Sequence, residues 1–192
     1  MPRPTEKYRK PAPQRSNSKT LRSMLAVGRH ALSPGRVCEV AELVLANPRR
    51  IRQLIDCLFD PDPGIANRAA DALERASYSR PALLAPWQDH LLGLLPDAQP
   101  NKLRWNLALM TARMKLSPPQ CRRVASILNS WLDDKSSIVK TAAMHGLAGA
   151  AQQDASLLPG VVDLLRILSR SGTPAMRARG RILLKQLRGR LE

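Results

Sequence analysis

Histidine, cysteine and charged side chains are the groups through which a chain acts on other molecules, and here their spacing excludes more than it selects. His30, His90 and His145 stand far apart, no histidine pairs with another at i+4, and no Cys/His cluster has metal-ligand spacing. Cys38, Cys57 and Cys121 form no CxxC pair, and their odd number argues against a disulfide framework, so a reducing, cytoplasmic setting is expected. There is no GxSxG elbow and no glycine-rich phosphate loop, and Cys57 and Cys121 fall among apolar neighbours, where a buried, inert thiol is the expectation. No catalytic residue, metal, cofactor or small-molecule substrate is therefore expected.

Cations are the remaining chemical signal. The chain carries 31 Lys and Arg against 15 Asp and Glu, a formal charge of +16, and such an excess repels itself unless an acidic partner or counterions gather around it. The excess is uneven: residues 1–36 carry eight net positive charges, 37–96 two net negative, 97–133 four positive and 134–192 six positive. Near the C-terminus Arg177, Arg181, Lys185 and Arg188 recur at steps of four, four and three, which places four cations on one strip of a helix. Such a strip serves equally as a polyanion-binding surface or as a solubilising cap on a last repeat. Arg122 and Arg123, together with Lys7, Arg9 and Lys10 in the N-terminal segment, are further candidate polyanion contacts.

The elements that must position these groups are helical. Aromatics are only 3% of the chain, and the apolar content is mostly Leu, Ala, Val and Ile. Residues 1–19 hold four prolines, six Lys or Arg and almost nothing to bury, so they read as a flexible basic arm. From Leu21 the spacing turns helical: Leu21, Met24, Leu25 and Leu32, a Ser33-Pro-Gly35 turn, then Val37, Val40, Ala41, Val44 and Leu45, which predicts two short antiparallel helices over 20–46. An internal repeat follows. Its anchors Ile65, Leu103, Val139 and Met176 are spaced by 38, 36 and 37 residues. Four residues after each anchor come Ala69, Leu107, Ala143 and Gly180, and eight after come Leu73, Thr111, Leu147 and Leu184, small or apolar groups at which a helix packs on its neighbour. Ser117-Pro-Pro and Thr173-Pro set N-cap hydroxyls before proline in a first turn, and Asp60-Pro-Asp-Pro-Gly ends one helix and starts the next.

The stretch Asp60-Pro-Asp-Pro-Gly-Ile-Ala-Asn-Arg-Ala-Ala-Asp-Ala-Leu73 resembles the HEAT-repeat consensus that links the two helices of a hairpin, and Lys135 to Leu147, after Asp134, follows the same pattern. Val139-Lys140, Leu103-Arg104 and Met176-Arg177 stand where that family has Val-Arg. The resemblance extends from about residue 48 to the C-terminus and implies an all-α fold, a right-handed α-solenoid of about five hairpins and about ten helices. The expected hairpins are 20–46, a degenerate first one, then 48–80, 82–116, 117–153 and 156–192, making one domain over 20–192. It also implies that Arg104 and Lys140 bond loop aspartates of neighbouring repeats, with Asp60, Asp62 and Asp134 as the acidic members of that ladder. Ala66 departs from the usual Arg, and the last repeat lacks the loop Asp, which leaves Arg177 freer to bind.

One group of DNA glycosylases for alkylated purines shares HEAT-like repeats and uses an acidic residue with tryptophans on a basic face; the corresponding candidates here are Trp105, Trp131, Asp133 and Asp134. Against this, Asp134 occupies the loop position of the repeat and Trp131 sits at core spacing with Ile127, Leu128 and Leu132. The main expectation is a monomeric binding module without catalysis. Its partner is nucleic acid, duplex DNA or structured RNA held through phosphates; the alternative is a scaffold for an acidic protein. The scarcity of aromatics disfavours base stacking on single strands, and no apolar run suits a membrane. Removing residues 1–19 should leave the melting temperature nearly unchanged while abolishing the sites most readily cut in limited proteolysis; a large drop in melting temperature would show that the arm packs on the body.

Overall fold

A computed structural model describes residues 20–28, 33–98 and 101–190. The N-terminal arm with Lys7, Arg9 and Lys10 lies outside the described residues, as do His30 and Leu32. Among the described residues the chain is all helical, with no strand: α1 (Leu21–Leu25), α2 (Val37–Ala46), α3 (Ile51–Asp56), α4 (Pro63–Ser79), α5 (Gln88–Leu94), α6 (Asn101–Thr111), α7 (Pro118–Ser130), α8 (Ser137–Gln153), α9 (Leu158–Ser171) and α10 (Pro174–Leu187). Short 3₁₀ turns extend several of them, among them Cys57–Phe59, Pro81–Trp87 and Trp131–Asp133.

Local chemistry starts these helices where the sequence places its caps. Asp62 accepts from the Gly64 N–H at 2.7 Å ahead of Pro63. Ser136 accepts from the Val139 N–H at 3.4 Å, and Thr173 accepts from the Met176 N–H at 3.4 Å. At Ser117 the N–H donates to Gln120 Oε1 at 2.9 Å in a capping box before α7. Each satisfies an amide that has no partner within its own helix.

The hairpins stack into two layers. The second helices α4, α6, α8 and α10 form a continuous layer, each packed on the next, and α3, α5, α7 and α9 lie on its other side. The core runs between the layers through Leu54, Leu73, Leu84, Leu91, Leu107, Leu128, Leu147, Leu165 and Leu183, all buried. Within the second layer approach is close to backbone contact. A Cβ on Gly149 of α8 would lie 2.6 Å from Ala112 Cα, just past α6, and one on Gly180 of α10 would lie 3.3 Å from Met144 Cε of α8.

The first hairpin differs from its expectation. α1 and α2 do not fold back on each other as an antiparallel pair; they run one after the other along α4. Arg22 at the start of α1 meets Asp60 just before α4, Leu25 is reached by Arg68 within α4, and the Leu45 carbonyl at the end of α2 accepts from Arg80 at the end of α4 at 3.3 Å. They act as one second-layer helix with an insertion, so the stack is four hairpins preceded by an interrupted helix. The buried Arg68 explains the break: its Nε donates to the Leu25 carbonyl, an orphan of the end of α1, and its side chain fills the space beside Gly28 and Gly35. Gly35 has φ +52°, which a residue with a Cβ adopts at a cost.

Close stacking makes a sign prediction. Gly93→Ala on α5, where the new Cβ meets nothing within 4 Å, should stabilise by up to about 1 kcal/mol through helix propensity. Gly149→Ala gains the same propensity but must push α6 and α8 apart, and should destabilise by about 1–3 kcal/mol. Chemical denaturation of both variants checks this; equal effects would contradict the packing.

Candidate functional site

Numbering each second helix from its anchor shows which way every side chain faces. Residues at anchor +1 and +5 point to the next repeat: Arg104 reaches across to Asp134, and Met144 packs on Gly180 of α10. Residues at +3 and +10 point to the preceding one, as Arg68 does toward Leu25 and Arg113 toward Glu74. Residues at +2 and +6 of α6 and at +2 of α8, Trp105, Leu109 and Thr141, border one groove shared with α10.

A polar ladder runs along the edge where the hairpin loops lie. Arg104 donates from NH1 to Asp134 Oδ2 at 2.6 Å and from Nε to the Ala98 carbonyl at 2.7 Å, with its guanidinium 5.7 Å from the centre of the buried Trp131 ring. Asp134 also accepts the Ser136 N–H at 2.7 Å. A second rung, unforeseen in the sequence, joins Arg22 to Asp60 in a two-pronged bond at 2.6 and 3.2 Å, and Asp60 accepts the Asp62 N–H at 3.0 Å. Asp62 itself is the cap of α4 rather than a rung. Where position +1 is Ala66, the facing loop residue is Ala98, and both are buried. Lys140 is half-buried and makes no ion pair with a described residue; the loop residue in register with Asp60 and Asp134 is Ser171, whose Oγ donates to the Ile167 carbonyl at 3.0 Å.

The cationic candidates separate on this frame. Arg177, Arg181, Lys185 and Arg188 are all exposed and occupy anchor +1, +5, +9 and +12, so the strip faces the end of the stack. In α8 the same +5 and +9 positions hold Met144 and Ala148, both buried against α10. Arg177 donates to its own loop at the Gly172 carbonyl, 3.2 Å away. Arg122 is engaged on the other layer, 2.8 Å from Asp154, a carboxylate that also accepts from Ser156. Arg123 is exposed and lines a groove of about 230 Å³ between α5 and α7 with Asp89 and Gln120. The candidates thus do not share one surface; the four on α10 do.

Two other surfaces stand out. Between α7 and α9 lies an apolar groove of about 730 Å³ over Val161, Leu164 and Ile167. On the outward face of the second layer Trp105, Leu109, Ile138, Thr141, Ala175 and Arg179 line a groove of about 320 Å³. His145 borders this face; burial, then Arg179 and Arg113, hold its imidazole below its ordinary value. Of the tryptophan and acid set considered above, Trp105 lines this groove, Trp131 is buried, Asp134 is held by Arg104 and Asp133 is exposed. Burial raises the Cys57 thiol to about 11, helped by Asp60, and burial raises that of Cys121 as well. Both therefore stay protonated and unreactive at neutral pH. Among the described residues no three His, Cys, Asp or Glu side chains group as metal ligands, and no helix is long and apolar enough to cross a membrane.

The architecture is that of a helical-repeat solenoid of the HEAT and armadillo type. It is similar in fold to a designed armadillo repeat protein, with a TM-score of 0.52 and 19% sequence identity over 87% of this chain and 80% of that one. No protein-family model matches the chain, and no curated protein matches it in sequence.

Titration of the buried groups makes stability depend on pH. The hydrogen bond from Arg22 lowers the Asp60 carboxyl, and that from Ser156, assisted by Arg122, lowers Asp154. A carboxyl depressed in the folded state stabilises above its unfolded value of about 4 and loses that contribution as pH falls through the folded value. His145, depressed by burial, stays neutral in the folded state while the unfolded imidazole protonates below about 6.5, so acid works in the same direction there. The melting temperature should fall in two stages, below about pH 6.5 and again below about pH 4. His145→Gln should remove the first stage and Arg22→Gln should diminish the second. A melting temperature that holds constant from pH 7 to pH 3 would contradict both assignments.

Proposed function

We propose that this protein is a non-enzymatic helical-repeat binding module that holds a polyanion, duplex DNA or structured RNA, through phosphate contacts made by the end face of its last described hairpin. The observation that carries this reading is the strip on α10. Interior repeats bury a small or apolar group at +5 to receive the next helix, Ala70, Ala108 and Met144, whereas α10 carries Arg181 there, followed by Lys185 and Arg188, all exposed and without an ion pair to a described residue. Arg177 to Arg188 spans about 17 Å of helix, over which a duplex offers roughly ten phosphates on its two strands. The basic N-terminal segment supplies further cations, six Lys or Arg in residues 1–19.

The outward groove favours a second reading, a scaffold for an acidic protein. Trp105, Leu109 and Ile138 would receive apolar side chains of a partner, and Arg179 a carboxylate.

Each phosphate neutralised releases condensed counterion, so log affinity should fall against log salt with a slope of about −0.9 per contact. Changing Arg177, Arg181, Lys185 and Arg188 together to Gln should reduce that slope by about 3–4, equally for two unrelated duplexes, because backbone contacts carry no base information. Folding stability should barely change. Fluorescence anisotropy over a salt series measures this. An unchanged slope would assign the strip to a solubilising cap, and no duplex binding by the wild type at low salt would favour the acidic-protein partner.

A further inference from the structure

Arginines that are partly or fully buried along the second helices and at their ends are otherwise held by acceptors. Arg104 donates to Asp134 and the Ala98 carbonyl, Arg113 to Glu74 and Ser77, and Arg68 to the Leu25 carbonyl. A guanidinium stripped of part of its water needs such groups, because its donors lose hydration that only another acceptor restores. Arg179 of α10 departs from this pattern: it is half-buried and has no hydrogen bond or ion pair with a described residue.

Among the described residues Arg179 is also the one charged group in the lining of the outward groove. Three helices meet there: α6 supplies Trp105 and Leu109, α8 supplies Ile138 and Thr141, and α10 supplies Ala175 and Arg179. The protein's own side chains leave these apolar walls open, since Ile138 is 55% exposed and Trp105 and Leu109 are only half-buried. The Thr141 hydroxyl donates to the Ser137 carbonyl, and no carboxylate stands in the lining to answer Arg179. The surroundings add positive charge rather than remove it. Burial, then Arg179 and Arg113, hold the His145 imidazole below its ordinary value, and the Glu74 carboxylate is committed to Arg113.

We infer that this groove docks an acidic peptide, seating one bulky apolar side chain against Trp105, Leu109 and Ile138 and an adjacent carboxylate on Arg179. Charge selects the occupant. A purely apolar segment would desolvate the guanidinium further and give it no acceptor, and a basic one would be repelled. An apolar residue beside Asp or Glu satisfies both the walls and the cation. At about 320 Å³ the groove lies at the low end of ligand clefts, room for a side chain or two. The inference deepens the acidic-protein reading above and rests on it. Arg181, Lys185 and Arg188 of the end-face strip lie outside the lining and play no part in it.

The test uses the full chain and fluorescein-labelled peptides of about 12 residues in which one Leu, Phe or Trp is flanked by Glu, each with a twin carrying Gln for Glu, read by anisotropy. The wild type should bind a Glu peptide about ten-fold more tightly than its twin. Arg179→Gln should remove that preference, weakening the Glu peptide about ten-fold and leaving the twin unchanged. The melting temperature should not move, because Arg179 has no partner to lose. Arg181→Gln, an exposed cation of the same helix, should leave the preference intact. Ile138→Gln should weaken Glu peptide and twin alike, and its exposed side chain can be changed without touching the core. Equal losses from Arg179→Gln and Arg181→Gln would mean that the peptide answers only to net charge, and would overturn the groove. Binding that survives both Arg179→Gln and Ile138→Gln would also overturn it while leaving the acidic-protein reading to another surface. No peptide bound by the wild type would remove the groove and that reading together.

Discussion

At Gly149 there is no room for a Cβ against Ala112, and at Gly180 of α10 a Cβ would touch Met144 of α8; this close stacking of the second helices is what every other feature follows from. A single hairpin has one apolar face toward its own partner helix and another toward its neighbours, and it can bury the second only by receiving the next repeat. Small residues on the facing surfaces bring the helices near enough for Leu107, Leu128, Leu147 and Leu165 to share one core. Stacking also fixes facing. Each residue of a second helix is committed to the core, the repeat before, the repeat after or the outside, and position relative to the anchor decides which.

That commitment explains the distribution of charge. Inside the stack arginines are tied down: Arg104 to Asp134, Arg113 to Glu74 and Ser77, and Arg68 to the Leu25 carbonyl. A guanidinium half-removed from water is stabilised where a carboxylate or carbonyl replaces the lost hydration. At the end of the stack there is no next repeat among the described residues, and Arg181, Lys185 and Arg188 have no such partner there. Among the described residues, the exposed cations of α10 that lack an ion pair therefore lie on a surface that stacking leaves open.

The four hairpins from α3 to α10 are legible in the sequence, because anchor spacing, prolines in first turns and N-cap hydroxyls all mark the same boundaries. The entry to the stack is not. Leu21-Arg22 is the same kind of dipeptide as Leu103-Arg104, but an insertion between Leu25 and Val37 moves it out of the repeat spacing. The Arg22–Asp60 rung and the shared role of α1 and α2 are consequently hidden, and 20–46 reads as a hairpin. The strip on α10 is visible as a period. Its direction, toward the end of the stack rather than outward, depends on how α8 and α10 meet, and that is a property of packing. Arg122 shows the same limit: only the fold brings Asp154, 32 residues away, to within 2.8 Å.

Hydrogen–deuterium exchange of the full chain, with and without a duplex of about 20 base pairs at low salt, tests the central claim most directly, since the last turns of α10 belong to the end-face strip alone, and α6 and the start of α8 to the outward groove alone. Residues 181–188 should be protected by the duplex, while Asn101–Thr111 and the start of α8 around Ile138 and Thr141 exchange as in the free protein. Protection confined to the outward groove, or none over residues 181–188, would contradict a polyanion site on the end face.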